Sequence, residues 1–251
     1  MLTSQRKQHL LDVLKRDGQI VAKTLSQTLG LSEDTIRRDL RELAQEGLLQ
    51  RVHGGALPAS SAVVNYAARE RIAPSSKIAI GRAAAGLIQP GQVVLLDGGT
   101  TAMQVARHLH PQLQATIVTH SPTIAVELAS HDTVEVIMLG GRLFKHSVVA
   151  VGTATTAALS NIRADLYFMG VTGVHLTAGL STGDLEEAYI KRALGRQAAE
   201  TWVLASTEKL GVASRYLISP LAEVSGLVIE SSVSDEAIAP YRDLGLTILS
   251  G

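Results

Sequence analysis

The chain has 251 residues, 46% hydrophobic content, no cysteine and a formal net charge of zero. That length suits about two domains, the missing cysteines exclude a disulfide framework and thiolate metal sites, and the neutral balance announces no nucleic-acid partner. Aromatics at 3% are too sparse for single-strand stacking platforms, and MLTSQRKQHLL has no signal-peptide core while no apolar run reaches about 18 residues, so a cytoplasmic protein with no membrane partner is expected.

Thr3 or Ser4 caps a first helix running to Arg16, with Leu10, Leu11, Val13 and Leu14 on its apolar side and Gly18 as its end. Ile20 and Val21 lead into a second helix, Ala22 to Leu29, and Gly30-Leu31 turns into a third. In LSEDTIRRDLREL (31–43), Ile36, Leu40 and Leu43 recur at i, i+4 and i+7, one face of a helix, while Thr35, Arg37, Arg38 and Arg41 lie off that face. Ser32 stands at the N-cap, Glu33 and Asp34 suit the positive end of the helix dipole, and Gly47 stops the helix. Two short helices about a Gly-containing turn are a helix-turn-helix. Leu48 to Val52 has strand character and Gly54-Gly55 allows a sharp hairpin, which makes a wing. Residues 1–56 carry nine Lys/Arg against seven Asp/Glu, and the remainder fourteen against sixteen, the sign expected of an N-terminal DNA-contacting module.

The run TIRRDLREL, followed by Gly47, Leu48, Arg51, His53, Gly54, Gly55 and Ala56, resembles the N-terminal signature of the DeoR family of bacterial transcription regulators across about residues 6–56. Groove chemistry then distributes roles. Ser32, Thr35 and Arg38, near the N-terminal end of the recognition helix, are the candidates for base edges, Arg by a bidentate contact to guanine. Arg37, Arg41, Lys23 and Arg51 are candidates for phosphates, which position without specifying. Arg41 alternatively pairs with Asp39 or Glu42. Asp39 is expected to orient an arginine within the domain, and His53 either touches the groove or backbone or fills the wing turn.

Residues 58–76, rich in Pro and Ser, read as a linker after a DNA-binding domain over 1–57, with 63–72 a short helix or strand docked on the second domain. From 77 to 251 apolar runs alternate with helical ones. A helix is expected over 78–88. Strands are expected at 93–97, 116–119, 134–139, 166–170, 202–205, 227–229 and 246–249, and further helices at 101–109, 122–130, 153–160, 184–200 and 234–242. Such alternation implies a mostly parallel sheet covered on both faces, with ligands bound beyond the carboxyl ends of the strands. Several of those ends carry glycines and hydroxyls that suit a phosphorylated or strongly polar small molecule: Asp97-Gly98-Gly99-Thr100-Thr101 at a helix N-terminus, Thr119-His120-Ser121, Gly140-Gly141, and Gly170 with Gly173. No G-x-G-x-x-G follows the first strand and no P-loop lysine is present. In GLSTGDLEEAYIKRA (179–193), Asp184 opens a helix, and Glu187 with Lys191 forms either a surface i, i+4 pair or a pocket rim. Lys209 in ASTEKLG is a candidate to neutralise a ligand phosphate.

This half resembles the sugar-phosphate sensor domain of the same family over about residues 77–250, a domain similar in fold to ribose-5-phosphate isomerase. The matching pieces are DGGTT at 97–101, Gly140-Gly141, GLST at 179–182 with EEAYIK, and Lys209, whereas His120 stands where the family often has Asn and Ser206-Thr207-Glu208-Lys209 where it has a run like Asp-Ser-Ser-Lys. The resemblance implies an α/β chain with a winged helix-turn-helix and an α/β effector domain. Its function would be a carbohydrate-gene repressor, a homodimer or homotetramer on double-stranded operator DNA, released by a phosphorylated sugar or related metabolite. The alternative is a sugar-phosphate isomerase with an added domain, but Gly170-Val171-Thr172-Gly173 lacks the acid such chemistry would place after the central strand. No cofactor is expected, nor a metal, since His108 and His110 have no acid beside them.

Overall fold

The computed structural model describes residues 2–251; Met1, first residue of the expected DNA-binding domain, lies outside them. Helix α1 spans Thr3–Asp17 and its N-cap is Leu2, not Thr3 or Ser4. Gln5 folds back so that its side-chain oxygen accepts from the Leu2 N–H at 3.2 Å, which draws both hydroxyl residues into the first turn. Strand β1 (Ile20–Val21), helices α2 (Ala22–Leu29) and α3 (Glu33–Gln45), and the hairpin β2 (Leu49–Val52) and β3 (Gly55–Pro58) complete the domain. The three strands pair antiparallel in the order β1-β3-β2. Gly55 is required by this closeness: a Cβ there would sit 1.7 Å from the Ile20 carbonyl oxygen. Leu10, Val13, Leu14, Ile20, Leu25, Ile36, Leu40, Leu43 and Leu49 make one core beneath three helices and a wing.

The segment after the wing is a strap laid on the second domain. The Ala213 N–H donates to the Pro58 carbonyl at 3.2 Å, Ala59 bridges Ala213, the Ser60 hydroxyl donates to the Thr172 carbonyl, and the Tyr66 N–H donates to the His146 carbonyl at 2.8 Å. A short helix α4 (Tyr66–Glu70) lies within the strap. Helix α5 spans Pro74–Ala85 and so starts before the expected residue 78. Pro74 occupies its first turn, where a missing N–H costs nothing, so 74–76 are helix rather than linker.

Beyond α5 come β4 (Val93–Leu96), α6 (Thr100–Arg107), β5 (Thr116–Thr119), α7 (Pro122–Leu128), β6 (Glu135–Met138), β7 (Arg142–Phe144), β8 (Val149–Val151) and α8 (Thr153–Leu159). The chain continues with β9 (Ala164–Gly170), β10 (Gly173–His175), β11 (Gly179–Thr182), α9 (Leu185–Gly195), β12 (Ala198–Leu204), β13 (Tyr216–Ser219), β14 (Gly226–Ile229), α10 (Asp235–Asp243) and β15 (Thr247–Ser250). Seven of these strands form one sheet of order β15-β14-β12-β9-β4-β5-β6, every pair parallel. They are the seven apolar runs of the sequence. Successive residues of β4 and β9 alternate between two cores: Leu95 and Tyr167 pack with residues of α8, α9 and α10, while Val94, Leu96 and Phe168 pack with residues of α5, α6 and α7. The helix expected over 184–200 stops at Gly195. Residues 198–204 instead pair with β9, joined by β14 on the other side from Trp202 to Leu204, and that pairing overrides the helix preference of Ala198 and Ala199. A small antiparallel sheet, β10-β11-β13, and the hairpin β7-β8 cap the carboxyl ends of the main sheet.

Candidate functional site

In the N-terminal domain the exposed end of α3 is pre-set by its cap. The Ser32 Oγ accepts from the Thr35 N–H at 3.2 Å and lies 2.9 Å from the Thr35 hydroxyl, and Glu33 and Asp34 fill the first turn. A shallow cleft is lined by Asp34, Thr35, Arg37, Arg38 and Arg41. Arg37 is held by Glu33 at 2.6 Å in an exposed i, i+4 pair, worth about 0.3–0.5 kcal/mol and easily exchanged for a phosphate. Arg41 pairs with neither neighbour: Asp39 is fully buried against Arg6 of α1, and Glu42 lies 3.0 Å from Lys7. Asp39 therefore orients an arginine from another helix. Lys23, Arg51 and His53 are all exposed, the last at the tip of the β2–β3 turn. Arg38 and Arg41 have no acid within salt-bridge distance among the described residues.

In the second domain a pocket opens at the carboxyl ends of β4, β9 and β12, on the seam where strand order runs β5, β6 one way from β4 and β12, β14 the other way from β9. That is the crevice in which parallel α/β sheets bind ligands. Of the residues singled out in the sequence it unites Gly98, Gly99, Thr100, Thr101, Gly170, Glu187, Lys191 and Lys209. Gly99 at φ +111° turns the chain so that α6 begins at Thr100 with its free N–H groups at the pocket. Gly170 lets the two central strand ends meet, since a Cβ there would lie 3.2 Å from the Gly98 carbonyl oxygen.

Asp97, Thr119 and His120 are not on the pocket surface; they are buried behind it. The Asp97 carboxylate accepts from the Gly98 N–H, the His120 Nε2 and the Gly170 N–H, each at 2.8 Å, from the Tyr167 hydroxyl at 3.2 Å and from the Lys191 Nζ at 2.5 Å. Burial pushes this carboxyl up, but Lys191 and His120 outweigh burial and hold it well below the usual carboxylate range. His120 is fixed further by the Ala150 carbonyl at 2.8 Å from Nδ1. Gly140 and Gly141 also stay outside, at the end of β6, where the Gly140 carbonyl accepts from the Thr155 hydroxyl at 2.8 Å. Glu187 and Lys191 do not form a surface pair: both are buried, Lys191 turned to Asp97 and Glu187 lying 3.5 Å from the Thr182 hydroxyl.

Residues not proposed as site residues from the sequence complete the wall: Arg69 on α4, Lys77 on α5 and Ser147, which no motif marks, and Thr172, Thr182 and Glu208, which stand inside quoted motifs. Arg69, Lys77, Lys191 and Lys209 thus line one space together with Glu187 and Glu208. Lys77, Lys191 and Lys209 are only 4%, 5% and 6% exposed. Burial pushes the Lys209 ammonium down to about 8, and it lowers Lys77 and Arg69 as well, in part against the pull of Glu208 and of Glu187 respectively. Lys209 has the Thr101 hydroxyl at 3.4 Å. The Nε and Nη2 of Arg69 and the Ser147 Oγ are buried and make no hydrogen bond. Clustered, desolvated cations around a helix N-terminus are suited to bind a compact anion. Asn65, whose side chain caps α4 by accepting from the Ala68 N–H at 3.0 Å, marks the start of the helix that carries Arg69 but not the space that Arg69 faces. Among the described residues no group of three or more His, Asp or Glu is placed to hold a metal ion, and no helix is long and apolar enough to cross a membrane.

A winged helix-turn-helix joined to a parallel α/β domain with an anion pocket defines a ligand-sensing regulator class. The family model described as a DeoR-like helix-turn-helix domain matches residues 6–62, and that described as the DeoR C terminal sensor domain matches residues 72–231. The HTH-type transcriptional regulator GlpR of Haloferax volcanii is 34% identical, over 100% of this chain and 99% of that protein. The glycerol-3-phosphate regulon repressor of Escherichia coli is 31% identical over 84% of each. A solved ribose 5-phosphate isomerase A from Methanocaldococcus jannaschii is similar over 53% of this chain and 52% of its own, at 19% identity and a TM-score of 0.40. The chain belongs to the DeoR family of transcriptional regulators, DNA-binding at its N-terminal domain and small-molecule-sensing at its C-terminal one.

Proposed function

We propose that this regulator is a cytoplasmic repressor of carbohydrate metabolism genes that holds double-stranded operator DNA as a homodimer or homotetramer and lets go when a phosphorylated sugar or related metabolite enters the pocket. The observation that supports the ligand class is the ring of Arg69, Lys77, Lys191 and Lys209 about the N-terminus of α6. A dianionic phosphate answers three needs at once: helix N–H donors, hydroxyls of Thr100 and Thr101, and cations short of partners. The name of the E. coli relative, a glycerol-3-phosphate regulon repressor, agrees with that chemistry. The expected division is residues 1–57 for DNA, 58–76 for the connection and 77–251 for the effector. We read the pocket as a sensor rather than an isomerase site because residues 170–173 carry no acid.

The test is a thermal-shift panel of inorganic phosphate, glycerol 3-phosphate, ribose 5-phosphate, glucose 6-phosphate and fructose 6-phosphate, since a ligand of the folded state raises its apparent stability. It is followed by DNA release from a fragment selected by the wild-type protein out of a random pool. At least one phosphate ester is expected to stabilise the chain and release DNA; no shift across the panel, or measurable isomerase turnover, would sink this reading. Arg38→Ala is expected to lower affinity for the selected fragment by about ten- to a hundredfold, the worth of one bidentate base contact. An unchanged affinity would remove Arg38 from the base-reading set.

A further inference from the structure

The strap between the wing and α5 is part of the ligand pocket. It carries Arg69 and Ala62 into the pocket wall. The Arg69 side chain turns Nε and Nη2 inward, where they are buried with no hydrogen-bond partner, although burial weakens its hold on a proton and a charge placed so is costly without a counterion. Its backbone is fixed from the other side, because the Lys77 Nζ donates to the Arg69 carbonyl at the end of α4. The guanidinium thus reaches the ligand space from the connecting segment while Lys209 and α6 reach it from the sheet.

The first residues after the wing are held by the same loops that line the pocket. The Ser60 hydroxyl donates to the carbonyl of Thr172, a pocket residue. The Pro58 carbonyl, at the end of wing strand β3, accepts from the N–H of Ala213. Ala213 is on the loop that carries Lys209, just past Gly211, whose own N–H is tied to the Val174 carbonyl at 2.8 Å. No slack stretch of chain separates ligand-facing atoms from the wing: β3 passes straight into residues bonded to two pocket loops.

We propose that this strap is the transmission of the switch: an anionic group of the effector is gripped between Arg69 on the strap and Lys209 with the α6 N-terminus on the sheet, and that grip repositions the Ser60 and Pro58 anchors on which the wing is carried. The proposal rests on the pocket being the effector site. A ligand acts here through differential affinity for two strap positions, since equal affinity for both would shift nothing. Arg69 thereby serves binding, and Ser60, which touches no pocket space, serves only transmission.

The full-length chain is tested with the tightest-binding phosphate ester of the panel above as probe, in two assays: probe affinity by calorimetry, and probe-driven release of the selected DNA. Arg69→Gln is expected to weaken probe binding at least tenfold, and Arg69→Lys, which keeps the charge but loses the fork, to fall between. Ser60→Ala is expected to bind probe within twofold of wild type yet, at equal probe occupancy, to release at most one fifth as much DNA. Wild-type affinity and release in Arg69→Gln, or release in Ser60→Ala that tracks probe occupancy as in wild type, overturns the proposal while leaving the pocket's assignment intact. Failure of every probe to bind wild type overturns the pocket's assignment and this proposal with it.

Discussion

At the scale of single residues the sensor domain turns on Asp97, which is buried behind the pocket and binds strand ends to one another. Its carboxylate gathers the ends of β4 and β9, His120 just beyond β5, Tyr167 and, through Lys191, helix α9. Asp97→Asn strands the Lys191 ammonium in a buried place and is expected to cost about 3–5 kcal/mol in urea denaturation. Because the folded value is depressed, the carboxylate's contribution is complete above the unfolded value of about 3.9 and is lost as pH falls toward the lower folded one. The acid limb of a stability–pH curve should therefore flatten in the variant; a curve parallel to wild type would contradict this role. Lys209 behaves oppositely. With its folded value near 8, the chain gains stability as pH rises from there toward the unfolded value near 10.4, while affinity for a phosphate probe, which needs the ammonium, falls over the same rise. Lys209→Met should abolish both dependences and raise the stability of the ligand-free chain at neutral pH, by roughly 1–3 kcal/mol. A probe affinity that stays flat from pH 7 to 9 in wild type would count against Lys209 as a ligand contact.

At the scale of elements, the DNA-binding domain is pinned by a buried ion pair across two helices, beside the more exposed pairing of Lys7 with Glu42 and Glu46. Arg6 of α1 meets the fully buried Asp39 of α3 through Nε and, at 3.1 Å, through Nη2. Arg6→Met should cost about 3–5 kcal/mol by leaving that carboxylate alone, while Arg6→Met with Asp39→Leu should recover most of it. Selective melting of the N-terminal domain, followed by limited proteolysis, reports both, and an additive double variant would refute the coupling. What was legible in the sequence depends on the strength of local signals. Helix α3 announced itself through Ile36, Leu40 and Leu43, and the seven parallel strands through short apolar runs. Strands β10, β11 and β13, three or four residues each and of mixed polarity, had no period to read, and β12 showed only its second half, because Ala198 and Ala199 extend the pattern of α9. The pocket was half legible: Gly98 to Thr101, Glu187, Lys191 and Lys209 stand in marked turns and motifs. Arg69 and Lys77 escaped because nothing in an aperiodic strap or at the start of an Ala-rich helix says which space a cation will face. Thr119, His120, Gly140 and Gly141 misled for the complementary reason, since a Gly- or hydroxyl-bearing strand end looks the same whether it packs on Thr155 or faces ligand.

At the scale of the molecule, strap and switch-point pocket put the two ends of the regulator in one mechanical circuit, with few residues free between wing strand and ligand-facing side chains. The seam that makes the pocket has a further consequence, for the order of assembly. The run β4-β5-β6 and the run β9-β12-β14-β15 each join strands that succeed one another in the main sheet, but the register Val94 to Leu166 and Leu95 to Tyr167 joins the two runs across an intervening segment that holds β5 to β8 and α8. Loop closure of that length is entropically costly and parallel pairing across it is slow. The seam is thus expected to close late in folding, and the pocket at its carboxyl ends with it. A phosphate ester that binds there holds closed a structure the folding barrier has not yet built: in stopped-flow experiments it should slow unfolding in proportion to occupancy and leave the refolding rate where it was.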